Sequence, residues 1–182
     1  MTAIADDCMD AGGTTPRMGE VEQRREQLPR APTVGALGGA GAVADLIPHS
    51  GNMVLLDRII DYDDQGLTAE VVVRDDGLLG DDRSIPAWVG IEYMAQTIAA
   101  YAGMMAKQVN EPIRLGFLLG TRRYSSNVAA FKVGSMLTIR VKNIMQDDNL
   151  GVFDCRILGE GVDVTANLNV YQPPLNKSMS TL

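Results

Sequence analysis

The pattern of apolar and polar positions organises this chain around one stretch, Ile85-Pro-Ala-Trp-Val-Gly-Ile-Glu-Tyr-Met-Ala-Gln-Thr-Ile-Ala-Ala-Tyr-Ala-Gly-Met-Met-Ala-Lys107. Pro86 fixes its own φ near the helical value and needs no N–H partner, which marks a helix start. Long apolar and small residues follow, interrupted as helix formers only by Gly90 and Gly103. Glycine lowers helix stability relative to alanine, but it also lets a neighbour approach closely. The predicted helix is apolar almost all round, so it belongs in an interior. Glu92 breaks the pattern, set among Val89, Ile91, Tyr93, Met94 and Ala95. A carboxylate in such surroundings is costly unless it is paired or used. Near the positive end of a helix it is a candidate catalytic group.

Before the helix, Ala42–Ile47 reads as a short helix ended by Pro48, because the residue before a proline avoids the helical region. His49–Asn52 is a turn and Met53–Ile60 an apolar strand. Asp61–Gly66 makes a hairpin turn into the alternating strand Leu67–Arg74, and Asp75–Ser84 is an acidic loop. After the helix, the pattern predicts strands over Ile113–Tyr124, Ser135–Met145, Gly151–Gly159 and Val162–Tyr171. Asp147–Asn149 and Gly159–Gly161 are their hairpin turns. One buried helix against a curved antiparallel sheet is an α+β arrangement. A helix apolar on every side needs more cover than one sheet face, so a wrapping sheet and a second chain are expected to complete it.

The ends differ in composition. Residues 1–36 are rich in Asp, Gly, Thr, Pro, Arg and Gln, and read as a poorly ordered leader in which Met9 and Met18 are alternative starts. Residues 37–172 form the expected domain, and 173–182 a frayed tail. Asp6, Asp7 and Asp10 at the start argue against a signal peptide. At 182 residues with 46% hydrophobic content, the chain has room for a full core. A net charge of −7 argues against nucleic-acid or anionic-membrane binding. No stretch has the length of a membrane span. Cys8 and Cys155 give neither a disulfide framework nor metal-ligand spacing, which suits a reducing cytoplasm. No metal or other cofactor is expected.

Three stretches carry a family resemblance: Leu46-Ile-Pro-His-Ser-Gly-Asn-Met-Val-Leu-Leu-Asp-Arg-Ile59, Pro86-Ala-Trp-Val-Gly-Ile-Glu-Tyr-Met-Ala-Gln96, and Gly116-Phe-Leu-Leu-Gly120 through Phe131-Lys-Val-Gly134. In order and spacing they resemble the hot-dog-fold 3-hydroxyacyl-acyl carrier protein dehydratases of fatty-acid and polyene synthesis. The Pro-Ala-Trp before the glutamate is similar to a divergent branch of that family associated with aryl-polyene pathways. The resemblance implies a hot-dog fold, an antiparallel sheet wrapped around one long helix. It also implies acyl carrier protein as a partner, and a homodimer or a heteromer with another hot-dog subunit. One departure stands out. The family's catalytic histidine sits in a loop just before the helix, and the corresponding Gly80-Asp-Asp-Arg-Ser-Ile-Pro86 has none.

Dehydration of a 3-hydroxyacyl thioester to a trans-2-enoyl thioester needs a base for the proton beside the carbonyl, an acid for the leaving hydroxyl, and donors for the developing enolate oxygen. Glu92 is the candidate acid. His49, the chain's only histidine, is the candidate base, since histidine is the side chain that ordinarily titrates near neutrality. The first-turn amides of Ala87 and Trp88 are candidate oxyanion donors, and Gln96 a candidate for orienting the acid. Each has a plainer role: an ion pair for Glu92, a cap or turn for His49, a buried backbone partner for Gln96, core or tunnel wall for Trp88, and helix packing for Met94, Met104 and Met105. Ser84 and Asp82 fit a solvated loop. Arg114, Arg122, Arg123, Lys132, Arg140 and Lys142 form a local basic excess. Arg122, Arg123 and Lys132 are the candidate carrier-docking contacts, against the bland reading of a solvated strand face. Two other functions compete: an acyl thioesterase using Glu92 alone, and a non-catalytic dehydratase-like partner subunit that has lost its base.

Overall fold

The computed structural model describes residues 40–75, 79–81 and 83–174. The predicted leader, Asp82 and most of the tail lie outside the described residues. The chain starts with a short helix α1 (Ala40–Ala44) and a single 3-10 turn (Gly51–Met53). Strands β1 (Arg58–Tyr62), β2 (Gly66–Val72) and β3 (Ser84–Pro86) follow. A 3-10 turn over Ala87–Val89 runs into the long helix α2 (Gly90–Gln108). Then come β4 (Phe117–Ser126), β5 (Ala130–Lys132), β6 (Met136–Asp147), β7 (Leu150–Gly159) and β8 (Val162–Tyr171). Six strands make one antiparallel sheet in the order β1-β2-β6-β7-β8-β4, and β3 pairs with β5 apart from it. This is the expected hot-dog architecture, a sheet against one long helix. Among the described residues, no helix is long and apolar enough to cross a membrane.

Strict alternation puts the core on one face of the sheet. Leu137, Ile139 and Val141 on β6, Phe153, Cys155 and Ile157 on β7, and Val164, Ala166 and Leu168 on β8 are all buried. Their neighbours Arg140, Lys142, Asp154, Arg156 and Thr165 face out. Register stacks the inward residues in rows, as in Val141, Cys155 and Ala166. Helix α2 lies on these rows. Tyr93 packs on Phe131 with ring centroids 6.1 Å apart, and Tyr101 meets Phe153 edge-on at 5.9 Å. Such a pair adds roughly 1 kcal/mol beyond its buried area. The Tyr101 hydroxyl donates to the Asp64 carbonyl at 2.8 Å, so its polar end is satisfied. Met94 and Met104 are core residues. Gly103 is needed for close approach, because a Cβ there would lie 2.0 Å from the Leu46 carbonyl oxygen.

Several boundaries differ from those expected. Of the predicted strand Met53–Ile60, only Arg58–Ile60 lies in β1, which runs on to Tyr62. Upstream, the Leu55 amide is taken by the Gln96 side chain at 3.0 Å, so this segment is tied to the helix instead of the sheet. Pro86 ends β3 with φ −54° and ψ 137°, and the helix starts one residue later. Proline gives up no ladder bond at a strand end. The strand expected from Ile113 starts at Phe117, and α1 stops at Ala44. The turn at Asp147–Asn149 holds Asp148 at φ 46°, a conformation aspartate tolerates.

Cys155 gives the core a pH signature. Burial, reinforced by neighbouring Asp154, pushes its thiol from an ordinary 9.0 up to about 12. The unfolded thiol ionises first, so its contribution is complete below about pH 9 and is lost as pH rises toward 12. Tyr101 and Tyr124, both raised mainly by burial, act in the same direction above pH 10.0. Denaturant unfolding at stepped pH should show stability falling above pH 9 by on the order of 1 kcal/mol per unit. Cys155→Ala should flatten the first part of that fall, and superposable curves would refute the assignment.

Candidate active site

Two segments far apart in sequence meet at the start of α2. Leu46 and Ile47 are buried and anchor the first, and Pro48 turns it so that His49 follows. The second is the first turn of α2, which carries Glu92. Gln96 joins them from one helical turn further on, the spacing at which side chains share a face. Its Nε2 donates to the Glu92 Oε1 at 2.9 Å and to the Met53 carbonyl at 2.7 Å. Its Oε1 accepts the Leu55 amide at 3.0 Å. Gln96 is 0% exposed, and its bond to the Leu55 amide is fully buried.

The result places His49 Nε2 3.5 Å from Glu92 Oε1 within one chain. The two side chains are 30% and 34% exposed, so Glu92 is neither sealed in the core nor projected into bulk water. The Nδ1 of His49 is buried and has no hydrogen-bond partner among the described residues. Both residues line a slot of about 230 Å³. One wall is the small-residue face of α2, with Ala95, Ile98, Ala99 and Ala102. The opposite wall comes from the start of β4 (Phe117 and Leu118), the end of β8, and β7 (Gly151 and Phe153).

The other predicted site residues are placed differently. The Ala87 amide donates to the Ala129 carbonyl at 2.9 Å, so it is already used and is not an oxyanion donor in this arrangement. Its carbonyl accepts the Tyr124 hydroxyl, which fixes the helix start to β4. Trp88 is 62% exposed and lies neither in the core nor on the slot wall, against the reading of it as core or tunnel wall. Arg122 and Arg123 are exposed on β4 and Lys132 on β5, and none of the three lines the slot. Arg123 borders a separate depression of about 610 Å³ on the outer sheet face, with Arg140, Lys142 and Arg156. Ser84 lies in β3, where its amide and hydroxyl donate to Asp81. Arg114 does line the slot, in the connection between α2 and β4. In the sequence it is one of several basic residues, and residue type alone could not separate it from the strand cations.

A profile of the ApeP-like family, described as ApeP dehydratase, matches residues 41–181. A search of curated proteins returns no significant match. Among solved structures, the dehydratase heterocomplex ApeI:P from Xenorhabdus doucetiae contains a chain 37% identical to this one. The match has a TM-score of 0.68 and covers 73% of this chain and 91% of that one. A hypothetical thioesterase with coenzyme A from Streptococcus pneumoniae TIGR4 is 16% identical over 63% of this chain and 84% of its own, with a TM-score of 0.47. The PaaI protein from the E. coli phenylacetic acid degradation operon is 13% identical over 62% and 80%, with a TM-score of 0.46.

Replacing Gln96 by leucine would leave the Leu55 amide and the Met53 carbonyl unpaired and remove the brace on Glu92. A buried unpaired group costs about 1–3 kcal/mol. Gln96→Leu should therefore destabilise the fold by roughly 2–4 kcal/mol in denaturant unfolding. A loss below about 0.5 kcal/mol, the range of ordinary surface substitutions, would show that the bridge matters little.

Proposed function

Because this chain belongs to the ApeP-like dehydratase family, we propose that it dehydrates 3-hydroxyacyl thioesters carried on acyl carrier protein to trans-2-enoyl thioesters in polyene-type synthesis. The observation that carries the reading is the His49–Glu92 pair, 3.5 Å apart and open to one slot. A syn elimination acts on two adjacent carbons from one face, and a base and an acid standing side by side fit that course. His49 Nε2 takes the proton from the carbon beside the thioester carbonyl. The C–H electron pair becomes the new double bond, the neighbouring C–O bond breaks, and the hydroxyl leaves as water with the proton delivered by Glu92. The thioester bond is untouched. Glu92 Oε1 is occupied by the Gln96 donor, so the proton it delivers rides on Oε2. Afterwards His49 holds a proton and Glu92 is a carboxylate, and because both side chains are about a third exposed, proton exchange with solvent water resets the pair.

This pairing also bears on the rival readings. A thioesterase using Glu92 alone has no need of the histidine beside it. A subunit that had lost its base would not be expected to hold His49 against the acid. Association with a second hot-dog chain fits the exposed edge. Leu115 just before β4 and Phe117, Leu118 and Leu119 at its start are all exposed, and an apolar edge strand with one side unpaired invites a partner. The slot is smaller than the roughly 300–1,000 Å³ of a typical ligand pocket, as expected if a second chain supplies a wall. The ApeI:P structure is itself a heterocomplex. Arg122, Arg123 and Lys132 lie outside the slot, so as contacts for an acidic carrier protein they could meet only the carrier's outer surface and not its arm.

Incubation of the full chain, alone and with a hot-dog partner, with 3-hydroxyacyl and enoyl carrier thioesters should interconvert the two. His49→Ala and Glu92→Gln should each lower the rate by about 10²–10⁴ without releasing free thiol. Full activity in His49→Ala would remove it as the base, and thiol release by the wild type would favour the thioesterase. Leu119→Glu should weaken association, read by analytical ultracentrifugation, and an unchanged mass distribution would mean β4 is not the interface.

A further inference from the structure

The slot has two chemically different ends. His49 and Glu92 stand at one, over the start of α2. From Glu92 to Ala102 the helix rises about 15 Å. At the far end the lining changes from alanine and isoleucine to Arg114, Gln146, Asn149 and Gln172. Topology requires this placement. Arg114 belongs to the connection leaving the C-terminal end of α2, and the β6–β7 turn and the end of β8 meet the start of β4 there, with Tyr171 opposite both Leu150 and Phe117.

Arg114 is part-buried, and its Nη1 donates to the Pro173 carbonyl at 3.3 Å. A guanidinium has five N–H donors, and no carboxylate lies within ion-pair distance of this one among the described residues. Its loop is fixed from behind. The Gln172 side chain donates to the Arg114 carbonyl at 3.5 Å, and the Gln172 amide donates to the Asn149 carbonyl at 2.8 Å. A fixed arginine with open donors at the end of a slot is suited to an oxyanion, which its fork can grip with two bonds.

We infer that this end of the slot is an oxyanion subsite centred on Arg114, and that its ligand is the phosphate of the carrier's pantetheine arm. The inference rests on the proposed carrier-thioester substrate. A purely hydrocarbon acyl tail has no use for an arginine and three carboxamides. A pantetheine arm carries two amides along its length, a dimethyl-bearing carbon and a terminal phosphate. Arg114 matches the phosphate, the carboxamides around it can pair with the hydroxyl and nearer amide of the arm, and the alanine wall of α2 leaves room for the chain between them and the thioester. An oxygenated far end of the acyl chain is the other source of the same chemistry.

The test uses the full chain and one 3-hydroxyacyl group presented on 4′-phosphopantetheine and on pantetheine without the phosphate. Calorimetric binding of the corresponding non-hydrolysable thioethers is measured alongside turnover. The wild type should prefer the phosphorylated form by about tenfold or more. Arg114→Met should bring that preference close to parity, and Arg114→Lys should keep part of it. Equal handling of both forms by the wild type, or an equal loss on both in Arg114→Met, would overturn the subsite. A penalty confined to acyl chains with a far-end carboxylate would keep the oxyanion subsite and assign it to the tail. The thioethers bind without reacting, so a chain that shows the phosphate preference yet dehydrates nothing refutes the dehydratase reading and leaves this one standing.

Discussion

One buried carboxamide holds the candidate site of this molecule together. Gln96 makes its hydrogen bonds to a helix carboxylate and to two backbone groups of the Met53–Leu55 segment. Those partners are remote in sequence, and the carboxamide is fully removed from water. Inside a low-dielectric interior such a network is stabilising only when every member is satisfied. Here each side-chain atom of Gln96 has a partner, so the network fixes one arrangement. His49 precedes the braced segment by a few residues, between buried Ile47 and the 3-10 turn at Gly51–Met53. Its position beside Glu92 follows from that brace.

The sheet covers one side of α2 and leaves another open. Tyr93, Met94 and Met104 are buried. The alanine face along Ala95, Ala99 and Ala102 borders the slot instead. Large side chains there would fill the space by themselves, and alanines leave it to a ligand. The edge strand β4, with its exposed leucines, stands across this gap. Order and vacancy are therefore largely separated on one helix: bulky residues hold it to the sheet, and three alanines beside Ile98 and Tyr101 line the cavity.

Much of this was legible in the sequence, and the exceptions have physical causes. The strands β6 to β8 follow from alternation, and the limits of β8 match the pattern from Val162 to Tyr171. Glu92 stood out because a charge among apolar neighbours is conspicuous, and Gln96 because it lies one turn away. The Met53–Ile60 stretch misled because an apolar run looks the same whether it pairs with a sheet or is bound by a helix side chain. The Ala87 amide was misassigned because first-turn amides are unpaired only within their own helix, and the Ala129 carbonyl is a tertiary partner. Arg114 was hidden for a related reason. Its importance comes from a connection folding back over the helix, which no local period encodes.

The same reasoning explains where the histidine is. The loop before the helix, which carries the base in the resembled family, is spent here on structure. Asp81 accepts the amides of Arg83 and Ser84, and those bonds hold its carboxyl below the usual carboxylate range. The Arg83 carbonyl accepts the Val133 amide, and β3 pairs with β5 immediately after. That loop is committed to a small sheet that seats the helix start. The proposed catalytic pair is instead brought together from the His49 turn and α2 of the same chain. Its spacing is then set by Gln96 and does not depend on how two subunits dock. A partner chain, on the proposal that one docks along β4, would then have a different task, which is to close the slot and select among thioesters.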